Sequence, residues 1–303
     1  MKDHLPAISI GIPFFNAESD LLNAVRSVFC QTHQDWELIL VDDGSTDNSL
    51  AIAKSIDDAR VRVISDGQNK HLSARLNEIA RLAKYEFVAR MDADDLMAPD
   101  RIERQLKILF LNPHLDLVST GVYSVQNDNT PVGARCVQPT HQITSKALLS
   151  GSCGIVNAAC VGRREWFLRN TFNESLQRGQ DANLWIRAFS KNDLNALVLR
   201  EPLYFYREDN NVSEKNILAS YKVLRYSILN DAKQNYPLPD RVGAYLKSLL
   251  KSAAIWGLAR FKGMDMIRKR RIATQITEAE RQEVSRIIDK IRSIELPRTG
   301  SEG

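Results

Sequence analysis

The chain has 303 residues, of which 44% are hydrophobic and 26% are charged. This composition is typical of a soluble globular protein and excludes long disordered stretches. No apolar run approaches the about 20 residues that span a bilayer, and no signal peptide precedes the first strand-like run. We therefore expect a cytoplasmic protein, with the inner face of the membrane as a second location.

The net charge of +4 is unevenly distributed. Residues 1–200 contain 22 Lys and Arg against 24 Asp and Glu, whereas residues 201–303 contain 19 against 13. A basic C-terminal region fits contact with anionic lipid, although a solvated helical face explains the same charges. The chain has four cysteines without zinc-ligand spacing, which is typical of buried, reduced thiols: Cys30, Cys136, Cys153 and Cys160.

The N-terminal part of the chain alternates strand and helix patterns. Apolar runs predict strands at 8–12, 37–41, 61–64 and 87–91, with helices at 20–32, 46–56 and 72–83 between them. Short helices between buried strands are typical of a parallel sheet with right-handed crossovers.

The later elements are less regular. The pattern predicts a helix at 99–111, strands at 115–122, 131–137 and 156–161, a helix at 180–189 and an aromatic strand at 202–207. From about residue 215 the pattern is mainly helical, with a break at Pro237–Asp240, an interruption at Arg268–Arg271 and a frayed end from Pro297.

Three polar turns follow predicted strands: Pro13–Asn16, Asp42–Ser45 and Asp92–Asp95. In an open α/β sheet, ligands bind beyond the carboxyl ends of the strands. These turns therefore predict a nucleotide site at one edge of the sheet.

The turn after the fourth strand contains three carboxylates, on Asp92, Asp94 and Asp95. Acidic side chains packed this closely repel one another unless a cation lies between them. Oxygen ligands suit Mg²⁺ or Mn²⁺, which such sites share with substrate phosphates. The alternative is that these residues cap the following helix and are otherwise solvated.

Other polar residues have a structural and a functional interpretation. Asp42 or Asp43 has the chemistry to accept the imide N–H of uracil, but a turn followed by a helix cap uses the same residues. Asn16 and Glu18 have side chains that suit a base or ribose. Asp181, in the first turn of a predicted helix, is either a partner of the helix dipole or a general base.

Together these segments resemble the family 2 glycosyltransferases, which have the GT-A fold. The matching segments are Pro13–Glu18, Val41–Asp47, Ser73–Asn77, Ala89–Asp95 and Gln180–Trp185, in the family's order over about residues 5–210. The resemblance implies an open, mostly parallel α/β sheet flanked by helices. It places a nucleotide-sugar-binding catalytic domain at 1–212 and a helical, basic region at 213–303.

The resemblance implies a role for each matching position. Asp42 or Asp43 contacts the base, Arg75 or alternatively Lys70 lies near the base or diphosphate, and Asp181 is the catalytic base. Asp92 binds the ribose or sugar and, with Asp94, the metal. Trp185 stacks on a sugar or, as its helical spacing favours, packs in the core. The remaining substrate-binding candidates are Pro13, Phe15, Asn16, Glu18 and Gln180.

The implied activity is that of an inverting, metal-dependent glycosyltransferase of the hexosyl or N-acetylhexosaminyl type. Its donor is a nucleotide-sugar, with UDP favoured, and its cofactor is Mn²⁺ or Mg²⁺. Its acceptor is a hydroxyl of a cell-surface polysaccharide or a lipid-linked glycan. The C-terminal region is a candidate membrane-contact region through Trp256, Phe261 and Arg268–Arg271. We expect no nucleic-acid partner, since no such module is recognisable.

Four departures from the family's usual pattern weaken this assignment. The chain has Gln180 where the family has Glu, His71 where it often has Gly, Asn157-Ala158 for His-Pro and Glu208-Asp209 for His. Gln180 and the two missing histidines leave a non-catalytic nucleotide-binding or assembly partner of the same fold as the alternative. Another type of α/β nucleotide enzyme is disfavoured, because no G-x-G-x-x-G or P-loop lysine motif is present.

Overall fold

The computed structural model describes residues 4–135, 143–207, 213–260 and 275–298. Several residues named above therefore lie outside the described part of the chain: Cys136, Glu208, Asp209, Phe261 and Arg268–Arg271.

The predicted alternation of strands and helices is present at the N-terminus. The elements are β1 (Ile8–Phe14), α1 (Leu21–Phe29), β2 (Trp36–Asp42), α2 (Ser49–Lys54), β3 (Val61–Ser65), α3 (His71–Leu82) and β4 (Phe87–Arg90). Helix α2 begins later than predicted because the Asp47 carboxylate accepts hydrogen bonds from the backbone and side chain of Ser49. This local bonding keeps residues 45–48 in a loop.

The middle of the chain forms β5 (Leu96–Met97), α4 (Arg101–Leu111), β6 (Leu117–Val125), β7 (Pro131–Arg135), α5 (Ser145–Ser150), β8 (Val161–Arg163), α6 (Arg164–Arg169), α7 (Gln180–Ser190) and β9 (Ala196–Arg207). The strand predicted at 156–161 is wrong. Asn157–Ala159 is a 3-10 turn, in which the Cys160 N–H donates to the Asn157 carbonyl oxygen, and only residues after it join the sheet.

The C-terminal region is helical in its described parts, with α8 (Glu214–Asn230), α9 (Leu238–Arg260) and α10 (Glu278–Arg292). Thr277 begins α10 with a capping box, since its hydroxyl accepts from Glu280 N and the Glu280 carboxylate accepts from Thr277 N. None of the described helices is long and apolar enough to cross a bilayer.

The described strands form one mixed sheet in the order β3-β2-β1-β4-β8-β6-β9-β5, with β7 beside β6. The first four strands are parallel, as Ile8 pairs with Trp36 on one side and Phe87 on the other. Strand β8 runs antiparallel to both β4 and β6 and joins this half to the second half. The carboxyl ends of β1, β2 and β4 therefore lie along one edge.

Apolar side chains cover both faces of the sheet. Ile8, Ile10 and Ile12 pack under α1 and α4, while Ile39 and Val41 pack under α3 and α7. Helix α8 adds Leu224 and Ile228 to the second layer. The predicted division into regions 1–212 and 213–303 stays a prediction.

The end of the described chain packs on β9 and then reaches the segment after α2. Val284, Ile288 and Ile291 of α10 pack against Leu203 and Phe205 of β9. The predicted fraying is wrong for two residues: the Pro297 carbonyl oxygen accepts a 2.9 Å hydrogen bond from Asp57 N, and Arg298 bridges to Ile56.

Candidate active site

A cleft of about 810 Å³ lies at the carboxyl end of β4 and extends between α5, α8 and α9. Four of the predicted site residues line it together: Asp92, Asp94, Gln180 and Asp181. The predicted base-contacting residues, Pro13 to Glu18 with Asp42 and Asp43, lie at the same sheet edge outside this cleft. The predicted site therefore comprises this cleft and the adjoining loops after β1 and β2.

The turn Asp92–Asp95, here called the acid turn, is held by the end of β9. Asp95 is almost fully buried, and its Oδ1 accepts a hydrogen bond of 2.8 Å from Arg207 N. The Tyr204 hydroxyl oxygen accepts from Asp92 N at 3.1 Å. Burial, and then the charges of Asp94 and Asp92, raise the pKa of Asp95 well above its usual range. Asp95 therefore anchors the turn, and Asp92 and Asp94 line the cleft.

These two carboxylates fit a cation. Arg90 donates to Asp92 Oδ1 at 2.8 Å, whereas burial, followed by the Asp92 charge, raises the pKa of Asp94 to about 6. No three His, Cys, Asp or Glu side chains of the described residues converge as a metal cage. One or two carboxylates completed by substrate phosphates and water are the usual Mg²⁺ arrangement. Asp94 and Asp92 match that donor set.

The carboxylates of Asp42 and Asp43 are both occupied by local donors. Asp42 accepts from Ser45 N at 3.0 Å and from the Ser65 hydroxyl at 2.8 Å. Asp43 accepts from Lys70 N at 2.7 Å and from His71 N at 3.1 Å. These bonds order the loop beside the sheet edge, and which of the two residues contacts a base stays open.

Arg75 contacts this loop directly, through the Asp43 carboxylate. Its guanidinium has no exposed surface and donates to Asp43, Asp66 and Glu78, at 3.0, 2.6 and 2.8 Å. Burial alone lowers the pKa of Arg75, but these carboxylates raise it above the usual value. Lys70 pairs with the same Asp66. The predicted contact of either cation with the base or diphosphate stays a prediction, and in this structure Arg75 orients Asp43.

Asn16 and Glu18 join the loop after β1 to the loop after β2. Asn16 has a left-handed φ of +48°, and its side-chain oxygen accepts from Thr46 N at 2.8 Å. Glu18 accepts from Asn48 N at 3.0 Å. Phe15, which precedes Asn16, is about half exposed. Their substrate contacts stay predictions.

Helix α7 begins at the mouth of the cleft. Gly179 precedes it with φ +66°, and a Cβ there would lie 3.2 Å from the Val223 Cβ. Asp181 lies in the first turn and accepts from Ala182 N at 2.8 Å. Among the described residues, the buried side-chain oxygens of Gln180 and Asn157 have no hydrogen-bond donor. Both line the cleft, so they suit ligand hydroxyl groups.

Trp185 does not line the cleft. It is 2% exposed and stacks on Trp166 with ring centroids 5.8 Å apart. Stacking on a sugar face is therefore wrong for this residue, because its ring belongs to the core under α7, as the helical spacing favours.

The structure adds residues that sequence reasoning missed. Arg207 holds the acid turn, Arg90 pairs with Asp92, and Lys247 and Lys251 line the outer part of the cleft. Arg207 could have been found from the sequence because it is a charged residue at the end of a buried aromatic strand. The two lysines are one helical turn apart, and this spacing indicates a place in the cleft only once the position of α9 is known.

Comparison with known proteins identifies the family. A family model described as Glycosyl transferase family 2 matches residues 9–171, which is more than half of the chain. The chain belongs to glycosyl transferase family 2. A relative from Escherichia coli, the UDP-Glc:alpha-D-GlcNAc-diphosphoundecaprenol beta-1,3-glucosyltransferase WfgD, is 30% identical over 235 residues, covering 78% of this chain and 89% of that protein.

Two solved structures that are similar to this family 2 protein have the same fold. TarS 1-349 of S. aureus in complex with UDP aligns with a TM-score of 0.59 at 19% identity, over 80% of this chain and 71% of that chain. The mannosyltransferase PcManGT of Pyrobaculum calidifontis, in complex with GDP-Man and Mn²⁺, aligns at 0.59 and 15% identity, over 96% and 87%. The predicted GT-A-like fold class is confirmed.

Proposed function

We propose that this family 2 glycosyltransferase transfers a hexosyl or N-acetylhexosaminyl group from a UDP-sugar to an acceptor hydroxyl, with inversion. The acceptor belongs to a bacterial surface polysaccharide or a lipid-linked glycan. The observation that carries the proposal is the placement of Asp181 and the acid turn along one cleft. The names of the relative and of the TarS complex, which specify UDP-glucose and UDP, support the choice of nucleotide.

In this reaction the acceptor oxygen attacks the anomeric carbon while the bond from that carbon to the UDP oxygen breaks. Asp181 accepts the proton of the acceptor hydroxyl as the new bond forms. Asp92 and Asp94 are the ligands that would hold a Mn²⁺ or Mg²⁺ ion, which when bound neutralises charge on the leaving diphosphate. Gln180 and Asn157 orient sugar hydroxyls through their unpaired amide oxygens.

Contact with a membrane surface of anionic lipid is a further part of the proposal. Six apolar side chains of α9 are 43–72% exposed, on the helix face opposite the cleft: Leu238, Val242, Leu246, Leu249, Leu250 and Trp256. Of the four basic residues of the helix, Lys247 and Lys251 line the cleft, whereas Arg260 lies beside Trp256 of the apolar face and offers its charge to an anionic bilayer. The guanidinium of Arg260 lies 3.6 Å from the Trp256 ring centroid, at the end of this face.

The experiment that tests the donor site is thermal unfolding with UDP, GDP, dTDP or CMP, each with and without Mn²⁺. A ligand that binds only the folded state raises the unfolding midpoint. We expect UDP with Mn²⁺ to stabilise the wild type and Asp181→Ala, but not Asp94→Ala. Asp181→Ala should also lose release of UDP from UDP-sugars in the presence of acceptor.

Two results would count against the proposal. If no nucleotide with Mn²⁺ shifts the midpoint at millimolar concentration, the donor site is wrong and the assembly-partner alternative gains. If Asp181→Ala retains turnover, another group is the base.

A further inference from the structure

The cleft has two parts of opposite charge. The inner part contains the four carboxylates of the acid turn and Asp181, which outnumber the arginines that line the cleft beside them, Arg90, Arg135 and Arg178. The outer part lies between α5, α8 and α9, and the charged side chains that these helices contribute are mainly cationic: Lys146, Lys247 and Lys251, against Asp240. A metal-bound nucleotide diphosphate belongs with the carboxylates of the inner part. The cations of the outer part therefore face a different ligand.

The lysines of α9 are available for such a ligand. Lys247 and Lys251 are four residues apart on one helix, so their side chains project from the same face one turn apart. In the described ranges of the chain, no carboxylate forms an ion pair with either. The nearby Asp240 carboxylate accepts a 2.8 Å hydrogen bond from Ser145 on α5.

The wall beside these lysines leaves space for an acceptor. Gly243 and Ala244 line the cleft one turn before Lys247. A Cβ built on Gly243 meets no atom within 4 Å. Sugar hydroxyls need only neutral partners, which Asn157 and Gln180 already offer deeper in the cleft. A pair of ammonium groups in the outer wall is suited instead to an anion.

We propose that Lys247 and Lys251 bind a phosphate or diphosphate group of the acceptor. The proposal rests on the proposed function, since it names the acceptor class of the same cleft. In this arrangement the acceptor's anionic group lies against α9, and its sugar hydroxyl reaches Asp181. The two lysines are then acceptor-binding residues that discriminate against uncharged glycans.

The test measures binding of three probes by isothermal titration calorimetry: farnesyl diphosphate, inorganic pyrophosphate and farnesol. EDTA is present throughout, because the metal-free acid turn repels a diphosphate. The proteins are the wild type, the double variant Lys247→Gln/Lys251→Gln and its charge-retaining counterpart Lys247→Arg/Lys251→Arg. Lys222→Gln is the matched control, since Lys222 is exposed on α8 and does not line the cleft.

We expect farnesyl diphosphate to bind the wild type, and the double glutamine variant to bind it about tenfold or more weakly. The arginine variant and Lys222→Gln should bind as the wild type does. Pyrophosphate binding as tight as that of farnesyl diphosphate assigns the site to water-soluble phosphate acceptors, and weaker binding assigns it to lipid-linked ones. Equal affinity of the double glutamine variant and the control, or of farnesol and farnesyl diphosphate, would overturn the proposal.

Stabilisation by UDP with Mn²⁺, measured on the same proteins, separates this proposal from the donor assignment. A double variant that keeps the nucleotide effect but loses the diphosphate probe supports both. A wild type that binds the probe without responding to any nucleotide retains the phosphate site and loses the donor site.

Discussion

The Nε of Arg207 donates a 2.8 Å hydrogen bond to the backbone carbonyl oxygen of Asp94, 113 residues away in sequence. The backbone N–H of Arg207 donates to the next carboxylate, on Asp95, and its guanidinium also pairs with Asp20. The position of the proposed metal ligand therefore depends on the end of β9 as much as on its own strand.

Arg207→Lys should loosen the acid turn. Lysine keeps the charge but lacks the planar fork that reaches the Asp94 and Asn127 carbonyl oxygens together. We expect the free energy of unfolding to fall by about 2–4 kcal/mol and the Mn²⁺-dependent affinity for UDP to fall about tenfold. Urea unfolding and calorimetry measure the two effects.

Arg104→Lys is the control for this change, because Arg104 pairs with Glu201 at the surface and such pairs contribute about 0–1 kcal/mol. An Arg207→Lys protein that matches this control would mean that other contacts hold the turn.

Asp94→Asn should stabilise the metal-free protein at pH 7.5. The carboxyl pKa of about 6 in the folded state exceeds that of an unfolded Asp, so ionisation opposes folding once the pH rises through that range. We expect a gain of about 1–3 kcal/mol at pH 7.5 in EDTA, which shrinks towards pH 4. Urea unfolding at both pH values measures it.

Added Mn²⁺ should make the wild type more stable than Asp94→Asn, because the cation stabilises only the protein that keeps the carboxylate. A variant no more stable than the wild type in EDTA at pH 7.5 would show that the Asp94 charge is already compensated.

His71→Gly should be more stable than His71→Ala by about 1 kcal/mol. His71 has φ +66°, a left-handed conformation that costs residues other than glycine about 1–2 kcal/mol. Both variants lose the 3.1 Å contact with Gln177, so their difference isolates the backbone cost. Urea unfolding of the same pair of substitutions at the exposed Arg81 of α3 should give the ordinary helical order, with alanine more stable.

Gly179→Ala should lower kcat at least tenfold while leaving the Kd for UDP with Mn²⁺ unchanged. An added methyl group would lie 3.2 Å from the Val223 Cβ on α8, which is tighter than an ordinary contact, so we expect the first turn of α7, which carries Asp181, to shift by a few tenths of an ångström. Single-turnover kinetics and calorimetry separate the two constants.

Gly67→Ala is the matched control, since Gly67 has a similar φ of +70° but its added Cβ meets no atom within 4 Å. It should lose comparable stability and keep kcat. If Gly179→Ala also keeps kcat, the first turn of α7 accommodates the added methyl group and the prediction is wrong.

Leu246→Ser/Leu250→Ser should weaken sedimentation with vesicles of anionic phospholipid about tenfold. Both side chains lie on the exposed apolar face of α9, and removing them reduces the area that enters the bilayer interface. Leu111→Ser, at an exposed site on α4, is the control and should not change binding. Equal sedimentation of all three proteins with these vesicles would exclude this face as the membrane contact.

The first four strands and their crossovers could be predicted because each signal is local. The apolar run of β2, for example, is that of a strand buried on both faces, and the loops that follow such strands must meet at one edge. The carboxylates of the acid turn were found in the same way, from their position after a strand, and Asp181 was found from its place in the first turn of a helix.

The missed features depend on contacts between distant segments. Three-residue β8 pairs with β4 and β6, and no pattern of that length specifies a strand. The apolar stripe of α9 is visible in the sequence, but its outward orientation follows from packing Ser248 and Ile255 inward. The proposed function of Lys247 and Lys251 depends on the same orientation of α9 about its axis.

The return of the chain end to the first crossovers has a consequence for how the protein is made. Arg26 Nε donates to the Ile294 carbonyl oxygen and Asp57 N to that of Pro297, so both contacts form only after residue 297 has left the ribosome. The first two crossover segments therefore lack these contacts until the chain has been synthesised beyond residue 297. A stop codon shortly before residue 294 would leave every catalytic candidate in place and still produce an enzyme with its first two crossover segments unsecured.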